Sequence, residues 1–333
     1  MGTYLNPDNS KFQESINSDI YVDKTGLITY TNSVIHTQQK CICVSRPRRF
    51  GKSMAANMLS AYYSRGCDSK ELFQNLEIAE DDQFETYLNQ YDVIFLNVQE
   101  FLSQSKNIDE MISLIRRSVL WDLLGEYPEF RYFDTSNLTR TMQDVYQQTK
   151  CPFVVIIDEW DCVFREYKTD RETQERYLDF LRDLLKDKGY IHLVYMTGIL
   201  PIKKYGTHSA LNMFDEFSMI EPGPLASYVG FTETEVQKLC GQYDMELEEV
   251  KNWYDGYSFD KALSVYSPRS VVSCMRLGKI GNYWNQTETF EALQVYIDMN
   301  FDGLKDDVLS MIAGNQVPVN IGSFTNDMTT FRS

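Results

Sequence analysis

An α/β fold, with a parallel sheet flanked by helices, is what this sequence predicts, and three observations predict it. Four short runs, Cys41 to Val44, Asp92 to Val98, Phe153 to Asp158 and Ile191 to Met196, have the length and apolar content of buried strands. The segments between them repeat apolar residues at helical spacing. The first run leads into Ser45-Arg-Pro-Arg-Arg-Phe-Gly-Lys-Ser53 and the third ends in Asp158-Glu159, so a cationic loop and an acidic pair both stand at strand ends.

The first forty residues are a lead-in carrying the aromatic residues Phe12 and Tyr21. Behind the loop, Ser53 to Arg65 reads as a helix closed by Gly66 as its C-cap. Ile108 to Leu124 repeats apolar residues at Ile108, Met111, Ile112, Ile115 and Val119, the period of a helix lying on a sheet. Asp170 caps another helix, lined on one face by Tyr177, Leu178, Leu181, Leu184 and Leu185. Strands alternating with such helices make a parallel sheet. Around Pro222-Gly-Pro224 the pattern changes to short helices with aromatic-rich turns. Thr232-x-x-Glu235 is a capping box opening a helix through Cys240, and Ser267 with Pro268 starts another. Asp298 to Ala313 and Val317-Pro-Val319 read as the start of a small winged-helix-like module, incomplete at Ser333 as in a fragment. The expected divisions are a core over 1–225, a mainly helical lid over 226–296 and a partial module over 297–333.

A loop of the pattern G-x-x-x-x-G-K-[ST] wraps phosphate oxygens with backbone amides, offers lysine to the outer phosphates and a hydroxyl to magnesium. Gly51, Lys52 and Ser53 satisfy its second half, whereas Arg46 stands at the first glycine. A residue before proline is pushed into extended conformation, so Arg46, ahead of Pro47, prolongs the strand and the turn falls at Arg48 to Gly51. The helix that follows points its amide end at the anion. Arg46, Arg48, Arg49 and Lys52 crowd cations into a chain of net charge -16, which predicts an anionic ligand; pairing with surface carboxylates is the alternative. Arg48, Arg49, Phe50, Gly51, Lys52, Ser53 and Met54 are thus the expected nucleotide-binding residues.

A charge at the carboxyl end of a strand covered on both faces must face a crevice. Asp158 is therefore expected to complete a Mg2+ shell with Ser53, and Glu159 to orient or deprotonate a water attacking the terminal phosphorus of ATP. Lying between the two halves, Asp92 to Val98 supplies an extra strand which, with the Asp-Glu pair, marks the ATPase branch of P-loop NTPases (AAA/ASCE type). Thr197, ending the fourth run, reads as a sensor of the terminal phosphate or as a turn residue. Tyr21 reads as a core aromatic or as a stacking partner for adenine. Arg165, Lys203 and Lys204 read as solvated cations or as an arginine finger reaching a neighbouring subunit.

With these residues assembled, the chain resembles the AAA-ATPase-like family of bacterial proteins, which often carry a PD-(D/E)XK nuclease domain behind the ATPase. The landmarks are Tyr21-Val-Asp-Lys-Thr25, Ser45 to Met54, Ile156-Ile-Asp-Glu-Trp-Asp161, Thr197-Gly-Ile-Leu-Pro-Ile-Lys203, Tyr228-Val-Gly-Phe-Thr-Glu233, Trp253-Tyr-Asp-Gly-Tyr257 and Tyr266-Ser-Pro268. The resemblance implies that an arginine-rich loop lacking its first glycine is a family trait. Trp160 stands where tyrosine is more usual, a change expected to matter little. No acidic-x-Lys core follows residue 300, so nuclease activity is not carried over. A homo-oligomer, or an effector nuclease domain outside this chain, is the kind of partner the resemblance admits.

Composition bounds the rest. With 333 residues and 43% hydrophobic content the chain can bury a sizeable core. Its apolar runs are strand-sized, far below the ~20 residues that cross a bilayer. The first residues have no basic region followed by an apolar stretch, so a cytoplasmic protein is expected. Seven cysteines fit a reducing compartment, and Cys41 and Cys43, read as pointing to opposite faces of their strand, are not expected to share a metal. His36, His192 and His208 lack ligand spacing, so zinc is not expected. A pI near 4.7 opposes general nucleic-acid binding without excluding a local basic groove. The leading reading is a magnesium-dependent ATPase acting as a switch. A regulatory module that binds nucleotide without hydrolysis is the alternative, and the Asp-Glu pair disfavours a small-molecule kinase.

Overall fold

A computed structural model of the chain describes residues 2–202, 211–219, 221–259, 263–283, 306, 309–310 and 313–317. Two helices, α1 (Ser10–Ile16) and α2 (Gly26–Val34), precede β1 (Cys41–Ser45), and α3 (Lys52–Tyr63) follows it. One-turn helices α4 (Lys70–Phe73) and α5 (Phe84–Tyr87) lead to β2 (Asp92–Asn97). Next come α6 (Val98–Ser103), α7 (Ile108–Glu126), α8 (Leu138–Thr149), β3 (Phe153–Asp158), α9 (Cys162–Glu166), α10 (Arg171–Leu185), β4 (Ile191–Gly198) and β5 (Asp215–Phe217).

These strands form one parallel sheet in the order β2-β3-β4-β1-β5. Helices cover both faces, which is why every residue of β1, β3 and β4 is buried. Alternate residues serve alternate faces. Ile42, Val44, Ile156 and Tyr195 share a core with Leu59 and Tyr62 of α3, while Cys43, Ile157 and Met196 share one with Met111 and Ile115 of α7 and Leu181 of α10. Val44, Thr197, Asp158 and Asn97 are successive partners in one row across four strands, so Asp158 and Thr197 continue the face that α3 covers. This row lies at the carboxyl ends of the strands, where a parallel sheet opens its crevice.

From Phe231 a third core begins. It draws residues from β6 (Phe231–Thr232), α11 (Glu233–Tyr243), α12 (Leu247–Tyr254), β8 (Leu263–Tyr266) and α13 (Pro268–Leu277), with Ile20 inserted from the lead-in, while β7 (Asp255–Phe259) pairs with β8. The capping box is present, with Thr232 N donating to Glu235 at 2.7 Å. In this region, expected to consist of short helices and turns, Asp255 to Tyr257 belongs to a strand of an antiparallel sheet ordered β6-β8-β7.

Three local readings need correction. The strand that separates β1 from β3 in space is β4; β2, which lies between them in sequence, is an edge strand beyond β3. Helix α3 ends at Tyr63, because Ser64 turns extended to bridge Tyr91, so Gly66 does not cap it. Cys41 and Cys43 are two residues apart and so share a face, both within the α7-side core. Among the described residues no three His, Cys, Asp or Glu side chains are grouped to hold a metal ion, and all seven cysteines are free. No helix among them is long and apolar enough to cross a membrane. The module expected over 297–333, apart from 306, 309–310 and 313–317, lies outside the described residues, as do Lys203, Lys204 and His208.

Candidate functional site

The loop after β1 is built as its residue types require. Arg46 N donates to Gly198 O at 3.1 Å, extending the ladder by one residue before Pro47 ends it. Arg49 (φ 70°) and Gly51 (φ 91°) then take left-handed conformations, which turn the chain into α3. For a non-glycine residue such a conformation costs about 1–2 kcal/mol. The first turn of α3 has no side-chain cap, so its amide groups are available to an anion.

Lys52 is 5% exposed, and its Nζ donates to Pro47 O at 2.9 Å. Burial pushes its ammonium below the usual lysine range, while Glu159, Asp158 and Asp161 pull it back up. Ser53 Oγ donates to Asp158 Oδ2 at 2.6 Å, joining residues 105 positions apart. Burial raises the Asp158 carboxyl above the ordinary aspartate range, against the Ser53 bond that lowers it. A carboxylate so desolvated gains from a cation placed beside it.

Just past β3, Glu159 takes φ 54°, and the carboxylate pairs with Arg165 of α9. Arg165 Nε also lies 3.2 Å from the fully buried Asp161, whose Oδ2 accepts a hydrogen bond from Leu200 N at 3.0 Å. Arg165 is thus partly buried and paired with two carboxylates, Glu159 and Asp161. Trp160, among the largest fully buried side chains, packs edge-on against Phe164 at 5.3 Å, and its N donates to Thr197 O. Gly198 is required here, because a Cβ on it would stand 2.5 Å from Asp161 Oδ1 and 2.6 Å from Trp160 Cδ1. Gly198→Ala is expected to destabilise the fold by about 1–3 kcal/mol, the usual cost of overpacking, read as a lowered thermal midpoint.

A cleft of about 1570 Å³ runs over Lys52, Ser53, Glu159 and Arg165, whereas Asp158, 1% exposed, does not line it and lies behind Ser53. Its walls include Tyr21 and Lys24 from the lead-in, residues 48–54 of the loop, Glu159 and Arg165, and Tyr228, Phe231 and Arg269 from the region after β5. The structure thus gathers Arg48, Arg49, Phe50, Gly51, Lys52, Ser53, Met54, Glu159 and Tyr21 around one opening. Phe50 is buried and meets the Tyr257 ring edge-on at 5.3 Å, while Met54 is 45% exposed. Tyr21 is half-buried against Phe12. Thr197 does not line the cleft; it is fully buried beside Asp158, and its Oγ1 has no hydrogen-bond partner among the described residues.

One cation was misread from sequence, and others were missed. Arg46 does not face the cleft: it is buried, with Nη1 donating to Ser45 O at 2.9 Å and Phe217 O at 2.8 Å, which fastens β1 to β5. Burial lowers its guanidinium to about 10. Lys24 donates to Ser227 O at 2.7 Å and pairs with Glu235, tying the lead-in to the capping box of α11. Arg269 is the second residue of α13, and only its place behind Ser267-Pro268 could have pointed to it.

The family model described as "Predicted AAA-ATPase" (AAA-ATPase_like) matches residues 9–207. A protein of Azotobacter chroococcum mcd 1, described as "Uncharacterized protein in vnfD 5'region", is 22% identical over 280 residues, covering 81% of this chain and 51% of that protein. The chain therefore spans about half the length of that curated relative. Among solved structures, the ORC1 protein of Aeropyrum pernix in complex with DNA is 11% identical, covering 84% of this chain and 60% of its own, with a TM-score of 0.37. The ORC2 protein of the same organism is 13% identical, covering 96% and 87%, with a TM-score of 0.36.

Proposed function

Because the chain belongs to the AAA-ATPase-like family, we propose that it binds ATP with Mg2+ and hydrolyses it, as a switch for an attached or partner effector. The observation that carries this reading is the 2.6 Å contact between Ser53 and Asp158, which joins the helix behind the lysine loop to the end of the acidic strand. In the proposal, amides of residues 48–53 and the Lys52 ammonium hold the phosphates, and the Tyr21 ring packs on the base.

Ser53 and Asp158 would hold Mg2+, a hard cation that commonly takes only one or two protein oxygens beside phosphate and water, and that neutralises charge on the outer phosphates. Glu159 orients the attacking water. Thr197, with its buried hydroxyl in register beside Asp158, senses the terminal phosphate. The region from 226 to 296, which has its own core from Phe231 onward, acts as the lid over a catalytic core of 1–225, with 297–333 as a further module. Free cysteines are consistent with a cytoplasmic setting.

Calorimetric titration of ATP at rising Mg2+, followed by phosphate-release kinetics, tests the proposal. Wild-type protein is expected to bind ATP in a Mg2+-dependent way and to release phosphate. Asp158→Asn is expected to raise the Mg2+ concentration needed by about 10-fold or more, the loss typical of a disturbed metal shell. No ATP binding at any Mg2+ concentration would sink the reading, and tight binding without phosphate release would make the chain a non-hydrolysing regulatory module.

A further inference from the structure

Resting on the ATPase reading above, we propose that Arg165 is the site's own catalytic arginine, a cation supplied within the chain that meets the charge developing on the terminal phosphate. Its placement carries the argument. Arg165 stands in α9, six residues beyond Glu159, and its side chain lines the cleft that the phosphate loop also lines. Asp161, fully buried and anchored on Leu200 N, forms an ion pair with the guanidinium, its Oδ2 lying 3.2 Å from Nε. Nη2 pairs with Glu159.

A guanidinium carries five N–H donors in one plane; Nη2 donates to Glu159, while Nε, 3.2 Å from Asp161 Oδ2, and Nη1 make no hydrogen bond among the described residues, so donors remain for an anion. The charge of Arg165 also reaches Lys52, so the two cations share one field. Fixed donors aimed where charge develops stabilise a transition state without reorganising, and a planar fork suits phosphate oxygens.

The step balances without any further reactant. The oxygen of water forms a bond to the terminal phosphorus while the bond from that phosphorus to the β–γ bridging oxygen breaks, and its electron pair leaves with ADP. The water proton passes to Glu159, and the charge spread over the three equatorial oxygens is what Arg165 meets. The contact between Arg165 and Glu159 gives a second consequence. The pair that holds the guanidinium also holds the Glu159 carboxylate, so the cation and the base are positioned together.

The test compares three measurements on the full chain: affinity for ADP, affinity for ADP with aluminium fluoride and Mg2+, and kcat. In Arg165→Ala, ADP affinity is expected within about threefold of wild type, because the residue serves a group that ADP lacks, while affinity for the transition-state analogue and kcat both fall by about 10³-fold. Removing a partner of buried Asp161 endangers folding, so Arg165→Lys is the second variant. A compact ammonium retains the charge but cannot hold Asp161 and reach phosphate together, so a loss of about 10-fold or more is expected in both quantities. The proposal is overturned if a variant that binds ADP keeps wild-type analogue affinity and kcat, or if kcat rises. A wild-type protein that binds no ATP would instead strike the ATPase reading, so the two failures are told apart.

Discussion

Replacing Glu159 by glutamine is expected to leave ATP binding intact and to lower steady-state phosphate release by about 10²–10⁴-fold, the range for a positioned general base. The amide matches the carboxylate in shape but cannot accept the proton of the attacking water. Binding is preserved because the groups proposed to hold phosphate are the loop amides and Lys52. Loss of one negative charge beside a polyphosphate also reduces repulsion. The local structure tolerates the change as well, since Arg165 keeps its second partner, Asp161, at 3.2 Å. A single-turnover measurement with saturating ATP separates the chemical step from binding. Undiminished phosphate release would remove Glu159 from the mechanism and direct attention to other polar groups in the row across the sheet, Asn97 foremost.

The parts of this site legible in the sequence are those whose signals are local. A buried strand ending in Asp158, and a strand followed by Gly51-Lys52-Ser53, each announce themselves within about ten residues, and two carboxyl ends of one parallel sheet must lie on the same side. The illegible parts depend on distant partners. Lys24 and Glu235 are 211 positions apart, and no spacing rule joins them. Arg46 looks like one more cation of the loop, and only the return of β5 beside β1 shows that its guanidinium serves Phe217 O. With three residues, Asp215–Phe217, β5 itself is too short to leave an apolar pattern. Arg165 turns inward onto Glu159 and Asp161, a pairing that helix propensity does not reveal. The strand order is illegible for a related reason: connectivity follows the chain, whereas adjacency follows the packing of crossover helices.

Lys52→Ala is expected to weaken ATP binding by about 10²-fold, since bonds to a charged group contribute about 1.5–3 kcal/mol and each 1.4 kcal/mol is a factor of ten. Unlike Glu159→Gln, it acts on the ground state as well as on turnover. In the structure the ammonium is buried, bonded to Pro47 O at 2.9 Å and drawn by three carboxylates, so it is already held at the loop. Such a cation needs little reorganisation to meet an anion, which places its contribution in affinity. Lys52→Arg supplies the control: the charge remains, but a planar fork does not fit the space of a compact ammonium, so partial recovery at most is expected. Thermal midpoints without nucleotide check that the variants fold. Should Lys52→Ala bind ATP as tightly as wild type while folded, the loop is not the phosphate site, and the contact between Ser53 and Asp158 serves the fold alone.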